Sequence, residues 1–311
     1  VFSDAGHILG SSTIHVTLGS GKRKLRVGFS GDLGRKGKPI LRDPAPMPPV
    51  EYLVMESTYG DRLHEVTGDI LSSLARIVKE TASRRGKIII PAFAVERTQD
   101  LVFYLHLLTD EKKIPDIPIF VDSPMATNAT GIFRIHPECY DEETNRAFID
   151  HHKNPFGFNS LRYIESSSQS KELNGFDGPA IIISSSGMCE AGRIQHHLLN
   201  NISDPKNTVL IVGYMAAETL GRKIQERRKE VRIFGETVPL RARVEEIKAL
   251  SAHADYHEIG EFIGRMDKSV LRAVFLVHGE KPATEHLQSY LKSHGLKEVV
   301  VVEKGVEYSL D

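Results

Sequence analysis

The chain has 311 residues, of which 40% are hydrophobic and 26% charged, and its 40 basic residues nearly balance its 41 acidic ones. This globular composition excludes a disordered or collagen-like protein. The near-zero net charge gives no overall argument for nucleic-acid binding, so any site that binds a polyanion must be a local basic patch. No apolar run approaches the roughly 18 residues of a membrane span, and two cysteines cannot form a disulfide framework, which favours a cytoplasmic location.

A β-hairpin is the first predicted element. Residues 13–18 and 24–30 are typical strand sequences, and Gly19-Ser20-Gly21 between them is a turn sequence. A further short strand is predicted at 51–55.

The middle of the chain alternates apolar strands with amphipathic helices. The predicted strands are 87–91, 118–122, 180–183 and 209–212, each followed by a helix, near 95–108, 126–133, 193–199 and 219–228. Strands that are continuously apolar and alternate with helices indicate a parallel sheet, whose ligands lie beyond the carboxyl ends of its strands.

The last part of the chain has a different pattern. A strand is predicted at 271–277, a helix at 284–294 and a last strand at 297–302. Because the pattern changes at Gly60 and near Leu250, we expect the two ends to form one domain that is interrupted by an inserted α/β domain.

Polar residues follow several of these strands, and fourteen histidines direct attention to metal. The segments concerned are 4–7, 30–32, 56–60, 251–255 and 277–280. Two histidines and an aspartate suit zinc, and a further carboxylate and histidine suit proton transfer. A lone histidine at a strand end is more often structural, so the residues by themselves form only a weak constellation.

Seven segments resemble known motifs. Asp4-Ala5-Gly6-His7-Ile8-Leu9-Gly10-Ser11 and Phe29-Ser30-Gly31-Asp32-Leu33-Gly34-Arg35 resemble the third and fourth metal motifs of the metallo-β-lactamase superfamily. Segments 56–60, 251–255 and 277–280 resemble motifs A, B and C of its β-CASP branch, and 91–99 and 185–188 are similar to that branch's cleft segments. The order of the motifs matches along nearly the whole chain. The motifs most resemble those of RNA nucleases related to the endonuclease subunit of the cleavage and polyadenylation specificity factor, in particular the bacterial and archaeal ones.

The resemblance implies an α/β fold. We expect a metallo-β-lactamase αββα sandwich, incomplete at its N-terminus, formed by 1–60 and 250–311, with a parallel-sheet β-CASP domain of 61–249 inserted. The superfamily's His-x-His-x-Asp-His motif is absent from this sequence. Because the family places that motif upstream of the His7 segment, we expect that an N-terminal segment is missing and that this chain alone holds an incomplete metal site.

The resemblance also implies a zinc-dependent ribonuclease mechanism. In the intact protein two zinc ions would share a bridging hydroxide, with His7 on one ion, His278 on the other and Asp32 between them. His253 would protonate the leaving 3′-oxygen and Glu56 would hold its imidazole. The products would carry a 5′-phosphate and a 3′-hydroxyl, in RNA processing or decay.

Single-stranded RNA is the expected partner, with a homodimer as a candidate assembly and no membrane. The turn after the 180–183 strand precedes a helix N-terminus, which suits an anion. The candidate phosphate contacts are Ser184, Ser185, Ser186, Gly187, Arg193 and Arg97. The alternatives are a polar turn for the serines and a solvated helix residue for Arg97. The pairs His151–His152 and His196–His197 fall outside the motifs and are expected to be structural.

Three other functions are open to this sequence. A DNA nuclease of the same branch characteristically lacks a histidine at motif C, whereas His278 is present. A non-catalytic RNA-binding scaffold subunit loses motif residues throughout, whereas Glu56, Asp32 and His253 are kept. A β-lactamase or glyoxalase lacks the insertion between Glu56 and His253. The sequence does not distinguish internal cleavage from trimming at an end.

Overall fold

The computed structural model describes residues 1–20, 23–64, 70–149 and 153–310. The chain divides into two compact units. The first comprises Val1–His64, Cys139–Glu142 and Ala252–Asp311, and the second comprises Glu65–Glu138 and Glu143–Ser251. This division differs by a few residues from the expected domain bounds, which were 1–60 with 250–311 for one domain and 61–249 for the other. The domain bounds therefore stay a prediction.

The described residues form the following elements. The strands are β1 (Phe2–Asp4), β2 (Ser12–Ser20), β3 (Arg23–Phe29), β4 (Tyr52–Glu56), β5 (Lys87–Pro91), β6 (Ile119–Asp122), β7 (Leu161–Tyr163), β8 (Ala180–Ser184), β9 (Thr208–Ile211), β10 (Glu230–Ile233), β11 (Glu236–Pro239), β12 (Arg243–Glu246), β13 (Ala273–Val277) and β14 (Val299–Val301). The helices are α1 (Ile70–Ser83), α2 (Arg97–Asp110), α3 (Pro124–Ile135), α4 (Glu142–Thr144), α5 (Ser167–Glu172), α6 (Arg193–Asn201), α7 (Leu220–Gln225), α8 (Tyr256–Gly264) and α9 (Lys281–Ser293). No helix among them is long and apolar enough to cross a membrane.

The first unit is built on a six-stranded mixed sheet in the order β1-β2-β3-β4-β13-β14. The predicted hairpin is confirmed, since β2 and β3 pair antiparallel with Ile14 opposite Phe29. From β3 onward the strands are parallel. Side chains alternate between the two faces: Leu53 and Met55 of β4 pack in one core with residues of α8 and α9, whereas Tyr52 packs in a second core with Phe275.

The second unit contains the predicted parallel sheet, in the order β12-β9-β5-β8-β6-β7. Its four inner strands are the four that the sequence predicted. Ile88–Ile90 of β5 and Ile181–Ile183 of β8 lie in register and are buried, as expected for strands covered on both faces. The predicted α/β class with an inserted parallel sheet is therefore confirmed.

Asp122, the last residue of β6, is the centre of a buried polar network in the second unit. Its Oδ1 accepts a hydrogen bond from Arg193 Nη1 at 2.6 Å, and its Oδ2 accepts bonds from His197 Nε2 at 2.6 Å and from Ser170 Oγ at 2.5 Å. Burial raises the pKa of the Asp122 carboxyl, but these partners outweigh burial and hold the pKa below its usual value.

His197 is thus a buried structural histidine, as the sequence predicted. Its neighbour His196 packs against the ring of Phe234, with the ring centres 4.6 Å apart. The pair His151–His152 lies outside the described residues.

Candidate active site and metal centre

The five polar segments of the first unit converge at one edge of its sheet. Asp32 follows β3, Glu56 ends β4 and His278 follows β13, and these three strands are adjacent and parallel, so their carboxyl ends meet. His7 lies in the loop between β1 and β2, where the Ser11 hydroxyl accepts hydrogen bonds from the backbone N–H groups of residues 7 and 8. The loop before α8 adds the fifth residue, His253.

Close backbone packing holds these loops together. Gly34 N donates a hydrogen bond to Ala5 O at 2.8 Å, and Ala254 N donates one to Leu33 O at 2.8 Å. A Cβ atom at Gly34 would lie only 1.8 Å from Gly6 O, so only glycine allows this approach. The glycine in the fourth motif thus serves to bring the segments carrying Asp32 and His7 together.

Asp32 lies between two imidazoles. Its Oδ2 is 3.9 Å from His7 Nε2, and its Oδ1 is 3.1 Å from His278 Nδ1. A tetrahedral zinc ion about 2.0–2.2 Å from each ligand holds neighbouring ligand atoms about 3.3–3.6 Å apart. The two measured distances bracket this range, and each imidazole faces a different carboxylate oxygen. Asp32 therefore has an imidazole nitrogen near each of its carboxylate oxygens, an arrangement that suits a carboxylate shared between metal ligands.

Buried Glu56 and half-buried His253 form a dyad beside this centre. His253 Nδ1 lies 3.1 and 3.0 Å from the two carboxylate oxygens of Glu56. The same carboxylate accepts hydrogen bonds from the backbone N–H groups of Leu33 and Thr58. Because a carboxylate only accepts hydrogen bonds, the dyad fixes a proton on His253 Nδ1.

The surroundings of His7 and His253 shift the pKa values of these two histidines in opposite directions. Burial, followed by the charge of His253, lowers the pKa of His7 to about 4, which leaves its imidazole neutral, the form that binds a metal. Burial also lowers the pKa of His253, but the hydrogen bond and the charge of Glu56 outweigh burial and raise it above its usual value. The site therefore combines a neutral imidazole, that of His7, with an imidazole whose protonated form Glu56 stabilises, that of His253.

His253 is nevertheless close enough to the metal centre to be considered as a ligand. Donor atoms of His7, Asp32 and His253 lie within 4.8 Å of one another, and so do donor atoms of Glu56, His253 and His278. Both groups include His253, for which the resemblance implies the role of an acid. Its bond to Glu56 favours proton transfer, and metal content measured in a variant distinguishes the two roles.

His64, which lies outside the motifs, contacts the backbone of His253. Its Nε2 donates a hydrogen bond to His253 O at 2.8 Å, and its N–H donates to Asp255 Oδ2 at 2.9 Å. Burial, followed by the charge of Arg35, lowers the pKa of His64 to about 4, so the ring is neutral. The available signal was its place four residues after the Gly60 that ends motif A.

Thr58 was also missed, and it contacts His278 through its hydroxyl. Thr58 Oγ1 lies 3.2 Å from His278 Nδ1 and donates a hydrogen bond to His278 O at 3.0 Å. These contacts orient the imidazole ring of His278, whose side chain is 59% exposed.

Three of the candidate phosphate contacts of the second unit are engaged with protein groups. The Arg97 guanidinium is buried and paired with Asp100 at 2.5 Å. Ser184 is buried and its Oγ donates to Asp122 O at 2.8 Å, while Arg193 is held by the Asp122 carboxylate. Contact of these three residues with RNA stays a prediction. For Arg97 and Ser184, burial of the side chain argues against such a contact.

The other three candidates lie in the turn between β8 and α6. Ser185 Oγ is 2.9 Å from Ser123 Oγ, and Ser186 Oγ accepts hydrogen bonds from two backbone N–H groups of the same turn. Both serines are half-buried, and Gly187 is buried beneath the ring of Phe93. Their role as phosphate contacts also stays a prediction.

Two known families match this chain. Residues 98–224 match the Beta-Casp domain, and residues 237–302 match the Zn-dependent metallo-hydrolase RNA specificity domain.

Three relatives show how far the similarity extends. Ribonuclease TTHA0252 of Thermus thermophilus is 38% identical over 280 residues, which are 90% of this chain and 62% of the relative. Transcription termination factor FttA of Methanosarcina mazei is 32% identical, over 93% of this chain and 46% of the relative. An RNase J-like protein of Methanocaldococcus jannaschii is 30% identical, over 90% of this chain and 63% of the relative. The chain thus spans about half to two thirds of the length of these relatives.

The resemblance inferred from the motifs agrees with these matches. The matched families cover a large part of the parallel-sheet unit and the segment that carries His253 and His278, and the relatives extend the match over most of the remaining chain. These matches and the α/β fold with its parallel sheet support the β-CASP branch of the metallo-β-lactamase superfamily, the family that the motifs of this chain resemble.

Proposed function

We propose that this chain is the catalytic part of a zinc-dependent ribonuclease that hydrolyses RNA phosphodiester bonds and leaves a 5′-phosphate and a 3′-hydroxyl. The observation that carries the proposal is the Glu56–His253 dyad beside the two imidazoles that flank Asp32. A relative named a ribonuclease and the match to an RNA specificity domain favour RNA as the substrate. Segments 1–60 and 250–311 would form the metallo-β-lactamase domain and 61–249 the β-CASP domain.

His7, Asp32 and His278 would hold the metal in this proposal. Bound zinc would supply positive charge beside the scissile phosphate and lower the pKa of water towards about 7. His278 is positioned for this role by Thr58, and His7 by its burial in the loop between β1 and β2.

Proton transfer would be the task of His253. Its Nδ1 is fixed by Glu56, so Nε2 is the nitrogen that would donate a proton to the leaving 3′-oxygen. Glu56 would keep the imidazole in that orientation and favour its protonated form. Asp32 and His7 would not take part in proton transfer, because both would be metal ligands.

The proposal also covers the strandedness of the RNA substrate, the oligomeric state of the protein and its cellular location. Single-stranded RNA would bind along the β-CASP domain, with phosphate contacts among Ser185, Ser186 and Gly187. A homodimer stays a prediction that sedimentation of the full-length protein tests. Cys139 and Cys189 are both free thiols, which suits a reducing compartment such as the cytoplasm.

Transcription termination is a second candidate role for the same chemistry. Relatives from Methanosarcina mazei and Methanocaldococcus jannaschii, both 32% identical, are named transcription termination factor FttA. Cleavage of a nascent transcript would be the step that this chain contributes. A transcription assay with an archaeal or bacterial polymerase distinguishes this role, since termination then requires an intact Glu56–His253 dyad.

Metal removal tests the proposed reaction. We expect the full-length protein to cleave an end-labelled single-stranded RNA, to lose this activity in a chelator and to regain it when zinc is added, because the nucleophile depends on the metal. The products should carry a 5′-phosphate. Cleavage that continues in the chelator, or products with a 2′,3′-cyclic phosphate, would contradict the proposal, and faster cleavage of the same sequence as DNA would favour a DNA nuclease.

Replacement of His64 tests how the dyad is positioned. We expect His64→Leu to lower kcat by up to about 10²-fold with little change in KM, because the His253 carbonyl loses its donor and small displacements of a catalytic group are costly. His64→Gln keeps a donor nitrogen near the Nε2 position and should recover most of the rate.

His286 offers a matched control for that experiment. Its Nδ1 donates to Gly60 O at 2.6 Å, which is also a histidine-to-carbonyl bond of the first unit but does not involve His253. We expect His286→Leu to leave kcat unchanged. Equal losses of kcat in His64→Leu and His286→Leu would show that His64 acts only through stability.

A further inference from the structure

Phe93 is an exposed aromatic residue at the carboxyl edge of the parallel sheet. It follows β5 by two residues, and the residue is 43% exposed. In open α/β sheets, ligands bind beyond the carboxyl ends of the strands. The ring therefore lies at the edge where this type of sheet binds its ligands.

Glycines from the two neighbouring strands provide the surface on which the ring rests. A Cβ atom at Gly187, which follows β8, would lie 2.9 to 3.1 Å from Cδ2, Cε2 and Cγ of Phe93. A Cβ atom at Gly213, which follows β9, would lie 3.9 Å from Cε2. Since β9, β5 and β8 are consecutive in the sheet, the ring occupies the middle of three strand ends and packs closest on Gly187.

The backbone of Phe93 is fixed as well. Its carbonyl accepts hydrogen bonds from Thr98 N at 3.2 Å and from Thr98 Oγ1 at 2.8 Å, and Ala92 N donates to Ser184 O at 3.0 Å. An aromatic ring on a fixed backbone loses little conformational freedom when a second ring stacks on it. The half-buried hydroxyls of Ser185 and Ser186 precede Gly187 in the adjoining turn.

We propose that Phe93 is a stacking platform for a nucleobase of single-stranded RNA. The proposal rests on the proposed function and adds to it a base-binding position that is separate from the metal centre. Aromatic rings bind unpaired bases through their faces without regard to sequence, and the contact is worth about 1–3 kcal/mol per base, which is about 5- to 150-fold in affinity. The close contact with Gly187 explains why a side chain at that position would displace the platform.

The test compares RNA that has bases with RNA that has none. Binding of the full-length protein is measured by fluorescence anisotropy, with a chelator present to prevent cleavage, for a single-stranded RNA and for an abasic ribose-phosphate oligomer of equal length. We expect Phe93→Ala to weaken binding of the base-containing RNA by about 5- to 150-fold and to leave binding of the abasic oligomer unchanged. Phe93→Trp should retain the preference for bases.

Phe234 provides the matched control, because it is a phenylalanine of the same unit that is 51% exposed. Phe234→Ala should leave both affinities unchanged. The stacking proposal is overturned if Phe93→Ala weakens both oligomers equally, if it weakens neither, or if Phe234→Ala has the same effect. In those cases the ribonuclease proposal stands as long as the His253→Ala protein loses cleavage, so the two failures are distinguishable.

Discussion

His253→Ala is expected to lower the rate of RNA cleavage by about 10²- to 10⁴-fold while the zinc content of the full-length protein stays unchanged. The physical reason is that general acid catalysis contributes a factor of this size, and the hydrogen bonds of His253 with Glu56 favour proton transfer over metal binding. The measurements are the single-turnover cleavage rate of a labelled RNA and the zinc stoichiometry of the purified variant.

Two companion variants separate the acid from the metal ligands. His278→Ala should lower both the activity and the bound zinc, because its imidazole faces Asp32 at 3.1 Å. Glu56→Gln should reduce the rate less than His253→Ala, because the imidazole remains and loses only its charged partner. Loss of zinc from His253→Ala to the same degree as from His278→Ala would make His253 a ligand, and unchanged rates in all three variants would refute the assigned site.

Asp122→Ala is expected to lower the free energy of unfolding of the second unit by about 3–5 kcal/mol. The substitution removes the carboxylate that pairs with Arg193 and His197, and it leaves these side chains in the interior without their common acceptor. Unfolding in urea, followed by circular dichroism, measures this loss.

The exposed carboxylate of Glu226 provides a control in the same unit. It pairs with Arg222 and Arg228 at 3.0 and 3.1 Å in contact with solvent. Because exposed ion pairs contribute at most about 1 kcal/mol, Glu226→Gln should change the stability little. A loss for Asp122→Ala no larger than for Glu226→Gln would show that the buried network is not stabilising.

The same network predicts a dependence of stability on pH. The pKa of Asp122 in the folded chain lies below its usual value of 3.8, so the unfolded chain binds this proton first as the pH falls. The stability due to the Asp122 carboxylate is therefore complete above about pH 5 and declines as the pH falls through about 4 towards the lowered pKa. The difference in unfolding free energy between the unsubstituted protein and Asp122→Ala should shrink over this range, and a constant difference would contradict the assignment.

Several features of this protein could be predicted from the sequence because they depend on residues that are near one another in the chain. The runs 88–90 and 181–183 predicted buried parallel strands, because a strand covered on both faces must be apolar throughout. The motif from Asp4 to His7 and the motif around His253 indicated the family, because each motif is a run of neighbouring residues that can be recognised without the tertiary structure. The edge strands β7 and β12 of the parallel sheet and the short helix α5 were not predicted, because such short elements carry little periodic pattern.

The tertiary structure decided which polar side chains are available for chemistry. Arg97 and Ser184 lie in segments that suit an anion, yet one is paired with Asp100 and the other with the backbone of Asp122. His64 had no assigned role until its ring was found 2.8 Å from the carbonyl of His253, a residue 189 positions away. Local sequence sets periodicity and turns, but the hydrogen-bond partner of a buried polar group comes from a distant segment, and only the folded chain brings the two together.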